Sequence, residues 1–561
     1  VVLCEIIWES GTEWITGIVW GDCQSRWAGG VDIAQTFIDT REGYFLITLD
    51  FNGWIQRFTT KIKGEIDSLA VPNSDGDDLF FDGLIQNNIE VASSLDLYSM
   101  RQTLGSVRVE LINKDRFQDN EKHHYLDGGI GEVHLWTPGL DWTDIEDKPI
   151  FRGTFRKEYH DKFIYSFTLE DTSKSKFRQL PRNVINTDTW PNHRTEGGGG
   201  SVAGKPQALI FGDWPKGVPL LCNSTTNYKY MAGIGVVNSE NADYATGTEN
   251  VYDKNGDIIT AGGSPVGYTF YPDENDSEGN IVAFFDFTSD QIDNEPLSCS
   301  IQGLTDGSGE YTGTAGTLIE HPSDILYYLL GLHSNFDTAE ISVQTLRTMR
   351  SALPGWRFAS IINKISEGVD IFDRILAQCQ CARVQRWGKT GVLSLNMDDP
   401  LSTGHIHKFD LIGRTVRISK TPYEQLCNNL RVFYGLNPTT GKWEGEFVID
   451  RTNDPDCKKS YWAYGEQPQK ELQLADVQLE WVARACASRY LKFRCFRHDL
   501  VECSVPYGEG WDSLEGDGGL LTIEEGASLD GEGWVDEPCL LLSRRFREGL
   551  VHQIWWKVDW K

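Results

Sequence analysis

At 561 residues the chain exceeds the size at which one hydrophobic core stops growing, so three or four domains are expected. Against 52 basic residues stand 82 acidic ones, a formal charge of −30. That balance argues against a surface that grips nucleic acid, since phosphate binding needs Lys and Arg, and against docking on an anionic membrane. Aromatics are plentiful while helix-forming runs are few, which favours β architecture.

In chain order, the opening VVLCEIIWES has neither the basic start nor the cleavage site of a signal peptide. No apolar run approaches the roughly 20 residues that span a bilayer, so no stable membrane insertion is expected. Residues 1 to about 60 read as the strands ITGIVW, GYFLITLDF and WIQRFTTKI, separated by Gly- and Asp-rich turns. Ile89 and Val91 alternate with polar neighbours, as do Val107, Val109 and Leu111. Phe163, Tyr165, Phe167 and Leu169 alternate cleanly and should bury one face of a strand. IFRGTF (150–155) is a further strand around a close-approach glycine. Barrel- or sandwich-like β structure is expected to about residue 185.

TEGGGGSVAGKP (195–206) reads as a flexible break, followed by the extended PQALIFGDWPKGVPLL. VYDKNGDII turns at Asn255-Gly256, a strong hairpin signal, and YPDENDSEGN is an acidic loop tip between strands.

The stretch 299–397 is the most organised. Short β-like pieces broken by glycine lead to HPSDILYYLLGL, where Pro322 suits the first turn of a helix and Ser323 or Asp324 can cover its free N–H groups. Ile325, Leu326, Leu329 and Leu330 follow at helical spacing. A second helix is expected over 343–353, stopping at Pro354-Gly355. In a third, Val369, Phe372, Ile375, Leu376 and Cys379 form one apolar stripe. CARVQRWGKTGVLSLNM is a hairpin turning at 387–391. Together these make a compact α+β unit inserted among β-rich flanks.

From about 405 the β style returns. LCNNLRVFYGLNPTTGKWEGEFVID is a hairpin with its turn at 437–442, and YWAYGEQPQKELQ leads into one clear helix with Leu474, Val477, Trp481, Ala485 and Ser488 on one face. LKFRCFRHDLVECSV is a strand, WDSLEGDGGLLTIEEGASLDGEGW a long loop or edge, and CLLLSRRF and VHQIWWKVDW two closing strands. No repeat of 20–50 residues is visible.

Several motifs could carry chemistry. Residues 199–205 have the spacing of a phosphate-binding loop, but Pro206 stands where that loop needs a hydroxyl and no buried strand precedes it, so a linker is the better reading. Asp253, Asn255 and Asp257 alternate oxygen ligands as in a calcium loop, yet no Glu closes it and a tight hairpin explains the pattern. The acidic tip at 273–278 reads as solvated. His405 and His407 would share one face of a strand, and a metal would need another ligand there; the adjacent His123 and His124 would face opposite ways. The twelve cysteines lack the density of a disulfide scaffold and suit a reducing cytoplasm. Cys379 and Cys381 make CxC, and Cys486, Cys495 and Cys503 form the other cluster; buried free thiols are the favoured account. G-x-S-x-G and H-E-x-x-H are absent. No catalytic, cofactor-binding or metal residue is assigned, and no cofactor is expected.

GEYTGTAGTLIEHPSDILYYLL, then GWRFASII, then DIFDRILAQCQCARVQRWGKTGVLSLN, resembles the tail-hub proteins of long-tailed bacteriophages, the central baseplate or tail-tip proteins. QALIFGDWPKGVPLL, VYDKNGDII, NNLRVFYG and YGEQPQKELQLADVQLEWVARACASRYLKFRCFRHDL extend the likeness over about 205–510, while residues 1–200 match only in style and 508–533 departs from the short acidic turn of the family.

The resemblance implies a structural virion protein without catalysis of its own. Its fold class would be mainly β with an α+β insert, multi-domain, with two related β-barrel domains plus a small helix-containing domain. The divisions would be 1–200, an N-terminal β-rich domain; 201–320, a β-rich hub region; 321–400, the small α+β domain; and 401–561, a C-terminal β-barrel-like domain with one crossing helix. A homotrimer would present six similar barrels to a sixfold tail tube and threefold symmetry to a central tail fibre or spike. The distal tail protein and tape measure protein would be its other neighbours. Phage DNA would pass transiently, without specific binding, through a channel whose acidic wall repels phosphate; plain solubility is the other reading of the charge. Some phage tail-tip proteins hold an iron–sulfur cluster on four cysteines; here the cysteines show no tight pair beyond Cys379 and Cys381, and buried thiols are the better account. Its place would be the virion, at the phage tail tip or baseplate, after assembly in the bacterial cytoplasm. The rival class is a polysaccharide-active or sugar-binding β-rich protein, a depolymerase or a receptor-binding fibre head, in which aromatics stack on sugars.

Overall fold

A computed structural model describes residues 8–9, 13–14, 43–60, 68–113, 126, 128–171, 173–186, 202–222, 228–234, 250–259, 267–275, 281–289, 291, 294–395, 402–407, 410–412, 415–507, 513–524, 533–547 and 550–558. The strand expected at 15–20, most of the break at 195–206 and the pair His123 and His124 lie outside these.

The first segment lays down β1 (Tyr44–Phe51), β2 (Trp54–Thr60), β3 (Ser68–Val71), β4 (Leu79–Ile85), β5 (Val91–Asp96), β6 (Arg101–Leu104), β7 (Val107–Ile112), β8 (Ile130–Trp136), β9 (Phe151–His160) and β10 (Ile164–Glu170). Seven of them close into a ring in the order β2-β1-β8-β9-β10-β7-β4, and β4 returns to β2 through the parallel pairs Phe58↔Asp82 and Thr60↔Ile85. Closure leaves the ring no free edge. The alternation read from the sequence fills it at Val107, Val109, Tyr165, Phe167 and Leu169, all fully buried with Phe155 and Ile47, but not at Phe163, which precedes β10 at the hairpin tip and is exposed. Gly153 is the close approach expected, since a Cβ there would stand 2.5 Å from the carbonyl oxygen of Glu170.

The middle of the chain supplies β11 (Leu209–Phe211), β12 (Asp213–Pro219), β13 (Lys229–Ile234), β14 (Val251–Tyr252), β15 (Ile258–Ile259), β16 (Tyr268–Asn275), β17 (Ile281–Phe287) and β18 (Ser298–Gln302). With β19 (Ser360–Ile362) they make two sheets, β16-β17-β13-β11-β19 and β12-β18-β14-β15. Between them lie Ile210, Trp214, Tyr230, Phe285 and Ile301.

The α+β unit holds α1 (Pro322–Leu332), α2 (Val343–Ala352), α3 (Gly368–Cys379), β20 (Cys381–Arg386) and β21 (Lys389–Ser394). The expected stripe on α3 is buried at Phe372, Ile375, Leu376 and Cys379, with Val369 half-buried at its start. Trp387 and Gly388 both take positive φ, as a two-residue hairpin turn requires. The cap of α1 differs from expectation. His321 is the N-cap: its Nδ1 accepts from the Ser323 N–H at 3.2 Å, and its Nε2 lies 2.9 Å from the Leu353 carbonyl. Ser323 and Asp324 instead reach α2, Ser323 Oγ donating to Leu346 O at 2.7 Å and Asp324 pairing with Arg350. A neighbouring helix outcompetes the local cap because its partners are buried too.

The last segment contains β22 (Ser402–Ile406), β23 (Arg417–Lys420), β24 (Leu430–Asn437), β25 (Lys442–Ile449), α4 (Pro455–Tyr464), β26 (Lys470–Leu474), α5 (Glu480–Arg494), β27 (Asp499–Pro506), β28 (Gly518–Ile523), β29 (Trp534–Arg547) and β30 (Leu550–Lys557). The hairpin β24–β25 turns where expected, and β26 joins it in parallel to make the three-stranded sheet β25-β24-β26. The large sheet runs β21-β20-β6-β5-β29-β30-β27-β23, with β28 and β22 attached along β29. Strands β5 and β6 thus leave the first segment and pair in the C-terminal sheet.

Four readings of this segment are corrected. It has two helices, not one; α4 is capped by Asp454, which accepts from the Asp456 and Cys457 N–H groups, with Pro455 in the first turn. The buried face of α5 is Val482, Ala483, Cys486 and Ala487, while Trp481 is half exposed and Ser488 exposed. Leu474 and Val477 precede the helix, so counting the period from them shifted its phase. LKFRC closes α5 rather than opening a strand, with Lys492 and Arg494 in the last turn where cations suit the helix dipole. The Gly-rich run contains the interior strand β28, whose Gly518 and Gly519 pair with Leu540 and Cys539. The architecture is mainly β with an α+β insert, as expected, in several sheets of which one is a ring.

Burial pushes His134, His321, His333 and His498 down to about 4, so the folded chain keeps them neutral. Unfolded, they bind protons near pH 6.5. Between pH 6.5 and 4 the unfolded state binds more protons, and stability falls as pH falls, by about 1.4 kcal/mol per pH unit for each group. Asp324, pushed up to about 6 by burial despite Arg350, opposes one of the four. The urea midpoint at pH 5 should therefore lie well below that at pH 7.5; equal midpoints would contradict buried neutral imidazoles.

Candidate functional site

The motifs weighed for chemistry are put to structural use. In the phosphate-loop spacing, residues 199–201 lie outside the described residues. The Lys205 N–H donates to Val202 O at 3.1 Å, the Gly204 N–H to Ile185 O at 2.8 Å, and the chain runs on into strand β11. The donors are engaged and no helix N-terminus follows, so the arrangement does not make a phosphate cradle. Asp253 Oδ1 accepts from the Asn255 N–H at 2.8 Å and the Asp257 N–H at 2.9 Å, fastening its own hairpin. Of the acidic tip, 276–278 fall outside the described residues.

His405 and His407 do share a face, with ring centroids 3.8 Å apart; His405 Nε2 lies 2.6 Å from Asp536 Oδ1 and 3.2 Å from Thr522 Oγ1. Among the described residues no group of three or more His, Cys, Asp or Glu is arranged to hold a metal. The sequence cluster of cysteines disperses. Cys486 packs in the core of α3 and α5 with Cys379 and Cys381, Cys495 Sγ meets Cys457 Sγ at 3.8 Å, and Cys503 lies in the barrel-side core with Cys539. Cys299, Cys379, Cys381, Cys427, Cys457, Cys486, Cys495, Cys503 and Cys539 are all buried and form no disulfide. Burial pushes Cys427 up to about 11 and Cys503 up to about 12, so these thiols stay protonated and unreactive at neutral pH.

What sequence reading missed is a set of buried carboxylates that tie distant segments. Asp306 stands three residues before the phrase GEYTGTAGTLIEHPSDILYYLL and gathers the start of that phrase around itself. Its carboxylate accepts from the N–H groups of Gly309 (2.8 Å), Tyr311 (2.8 Å) and Thr312 (2.7 Å), and from the hydroxyls of Ser308 (3.1 Å) and Thr312 (3.0 Å). The glycines of DGSGEYTG let the chain wrap around it, Gly309 and Gly313 at positive φ. Burial alone would raise its pKa, but the bonds from Thr312, Ser308 and Tyr311 hold it below the usual carboxylate range. Asp373 of α3 joins Arg383 (3.2 Å) on β20 and Arg101 (3.1 Å) on β6. Asp476, ahead of α5, accepts from Arg374 (3.0 Å) and Gln378 (2.5 Å) of α3.

The tightest junction surrounds Glu515. It pairs with Arg544 at 3.1 Å and accepts from Ser93 Oγ and, at 3.2 Å, from Gln102 Nε2. Arg544 Nη1 donates to Ser513 O at 3.0 Å, and Arg386 reaches Glu515 O and Asp517 at 2.9 and 2.8 Å. Beyond this junction a half-open hollow of about 220 Å³ is lined by Leu97, Tyr98, Thr421, Gln425, Phe493 and Trp556 among others. These charges converge on protein partners, and the chemistry they perform is fastening.

The sequence matches no protein-family profile and no curated protein. Its fold is similar to three solved structures. A chain of the virion of a native gene transfer agent particle is 11% identical, covering 64% of this chain and 85% of that one at a TM-score of 0.44. The 43 kDa tail protein of prophage MuSo2 from Shewanella oneidensis is 10% identical, covering 92% and 99% at a TM-score of 0.35. A tail protein from Neisseria meningitidis MC58 is 10% identical, covering 91% and 96% at a TM-score of 0.33. These are tail and virion proteins, and at such identities and TM-scores the likeness transfers no function.

Replacing Asp306 with Ala should strip three backbone N–H groups of their acceptor and cost about 3 kcal/mol or more, read as a lowered urea midpoint. Glu515→Ala should cost about 3–5 kcal/mol, because Arg544 is left buried and unpaired, whereas Glu515→Leu with Arg544→Met should recover most of that loss. A double variant as unstable as the single one would show that the pair is more than an electrostatic lock.

Proposed function

We propose that this chain is a structural virion protein of a phage-type tail, without catalysis of its own. In this reading it is a trimeric baseplate hub or tail-tip adaptor that joins a sixfold tail tube to a threefold central fibre or spike and lines the DNA channel. The observation that carries the reading is where the family-like phrases go. They are scattered from about 205 to 510, yet all but VYDKNGDII, whose Val251 packs between the two middle sheets, send residues into one continuous core: Leu209, Phe211, Ile325, Phe358, Phe372, Leu430, Val482 and Phe496. Phrases that kept their order by chance would have no reason to share an interior; phrases that build one domain must. That core is flanked by the ring of β1, β2, β4 and β7 to β10, and by the C-terminal sheet around β29, which in this reading takes the place of the second barrel. The proposed divisions at 200, 320 and 400 follow these units along the chain, with β5 and β6 crossing from the first into the last.

An adaptor between sixfold and threefold symmetry needs one kind of surface twice per subunit, and two β units per chain supply the means. The distal tail protein, the tape measure protein and a central fibre or spike are the neighbours, and the location is the tail tip or baseplate of the virion. The charge of −30 suits a bore that DNA passes without sticking.

The native mass of the purified full chain should be three times that of one copy, with a threefold ring in electron micrographs. A single-copy mass at micromolar concentration, together with turnover of a host polysaccharide, would overturn this reading in favour of a depolymerase.

A further inference from the structure

Two exposed patches of opposite charge, each with an outward aromatic ring, sit on the first β unit. One is the tip of the β9–β10 hairpin. Phe163 is 69% exposed and Tyr159 42% exposed. Towards the tip the hairpin carries Lys157 and Lys162, with Arg156 3.6 Å from Glu170, against Glu158 and Asp161. Both carboxylates are spent locally. Asp161 Oδ1 accepts from the N–H groups of Phe163 and Ile164 at 2.6 and 2.7 Å, and Glu158 accepts from Ser166 at 3.0 Å, from Thr168, and pairs with Arg108 at 3.1 Å. Lys162 Nζ stands 5.5 Å over the Phe163 ring. The tip is therefore a cationic, aromatic finger on a strongly acidic chain.

The other patch is the turn before β4. Asp75, Asp77 and Asp78 are exposed beside Phe80, itself 63% exposed. No Lys or Arg occurs between Lys63 and Arg101 in the sequence, and among the described residues no ion pair reaches Asp75, Asp77 or Asp78. The turn is held in place: Asp141 accepts from the Ser74 N–H at 3.0 Å, and the Gly76 N–H donates to Asn73 O at 3.2 Å. A fixed turn loses little freedom on binding.

A cyclic trimer needs two different surfaces on each subunit that fit one another. A buried aromatic anchor ringed by complementary charge is the usual anatomy of such a contact. We propose that the Phe163 finger of one copy docks on the Asp75, Asp77, Asp78 and Phe80 turn of the next. The assignment rests on the trimeric reading above.

Sedimentation of the full chain tests it. Lys157→Glu with Lys162→Glu should weaken self-association about tenfold or more, and adding Asp77→Lys with Asp78→Lys to the same chain should restore it. Phe163→Ala should weaken it as well, without moving the thermal melt, since the ring is exposed. A wild-type trimer that charge reversal leaves intact, or that the swap fails to restore, overturns this surface and leaves the trimer standing. Loss of binding to a single-stranded oligonucleotide in the reversed variant, with the trimer unmoved, makes the finger a nucleic-acid contact and also overturns it. A wild-type chain that stays single overturns the trimeric reading itself.

Discussion

Arg544 and Glu515 meet where almost no water reaches them, their side chains 4% and 1% exposed. Burying two charges costs several kcal/mol per ion unless every remaining donor and acceptor finds a partner. Here Ser93, Gln102 and the Ser513 carbonyl supply those partners, and Arg386 closes the network through Asp517. Four stretches of chain, near residues 93–102, 386, 513–517 and 544, are thereby forced into one place. That is why the β5–β6 hairpin leaves the ring that its neighbours build and pairs Val91 to Ser94 with Phe546 to Ser543 instead. A hydrophobic contact would have allowed other registers; a satisfied buried pair allows one.

The long strand β29 makes this possible. Its first half pairs with β28 and its second half with β5 on the same edge, while β30 runs along the other. One strand so joins the beginning and end of the chain, and the interiors merge: Val109 and Phe167 of the ring belong to the same core as Val505, Leu541 and Trp555. The second core is built differently. Helices α1, α3 and α5 bury Leu330, Phe372 and Cys486 together with strands from both sides. Asp373, Asp476 and Glu340 then lock its outer connections, Glu340 to Lys176 and Arg152. A share of the acidic excess is structural cement of this kind.

Periodicity was enough for the local elements. The alternation of Tyr165, Phe167 and Leu169, the helical spacing of Ile325 to Leu330 and the stripe of α3 are consequences of one repeat matching one buried face. The turns at Asn255-Gly256 and Trp387-Gly388 were equally legible, because few residues adopt positive φ without strain. Where a segment carried two signals the reading slipped. Leu474 and Val477 continued a helical period across a strand and a turn, which hid the true face of α5. Glycines concealed β28, since a strand between two neighbours needs backbone pairing more than side chains. α4 has a weak apolar face, and only its Asp-Pro cap announced it.

The amino-acid sequence by itself determined the class of this protein: mainly β, with a helical insert, strongly acidic, its cysteines destined for the interior. Tertiary structure alone decided that the first ring closes through β4 and β2, that β5 and β6 belong to the far end of the chain, and which carboxylates lie inside. Those outcomes depend on contacts between residues up to hundreds of positions apart, such as Ser93 with Glu515, and no local pattern records a partner at that distance.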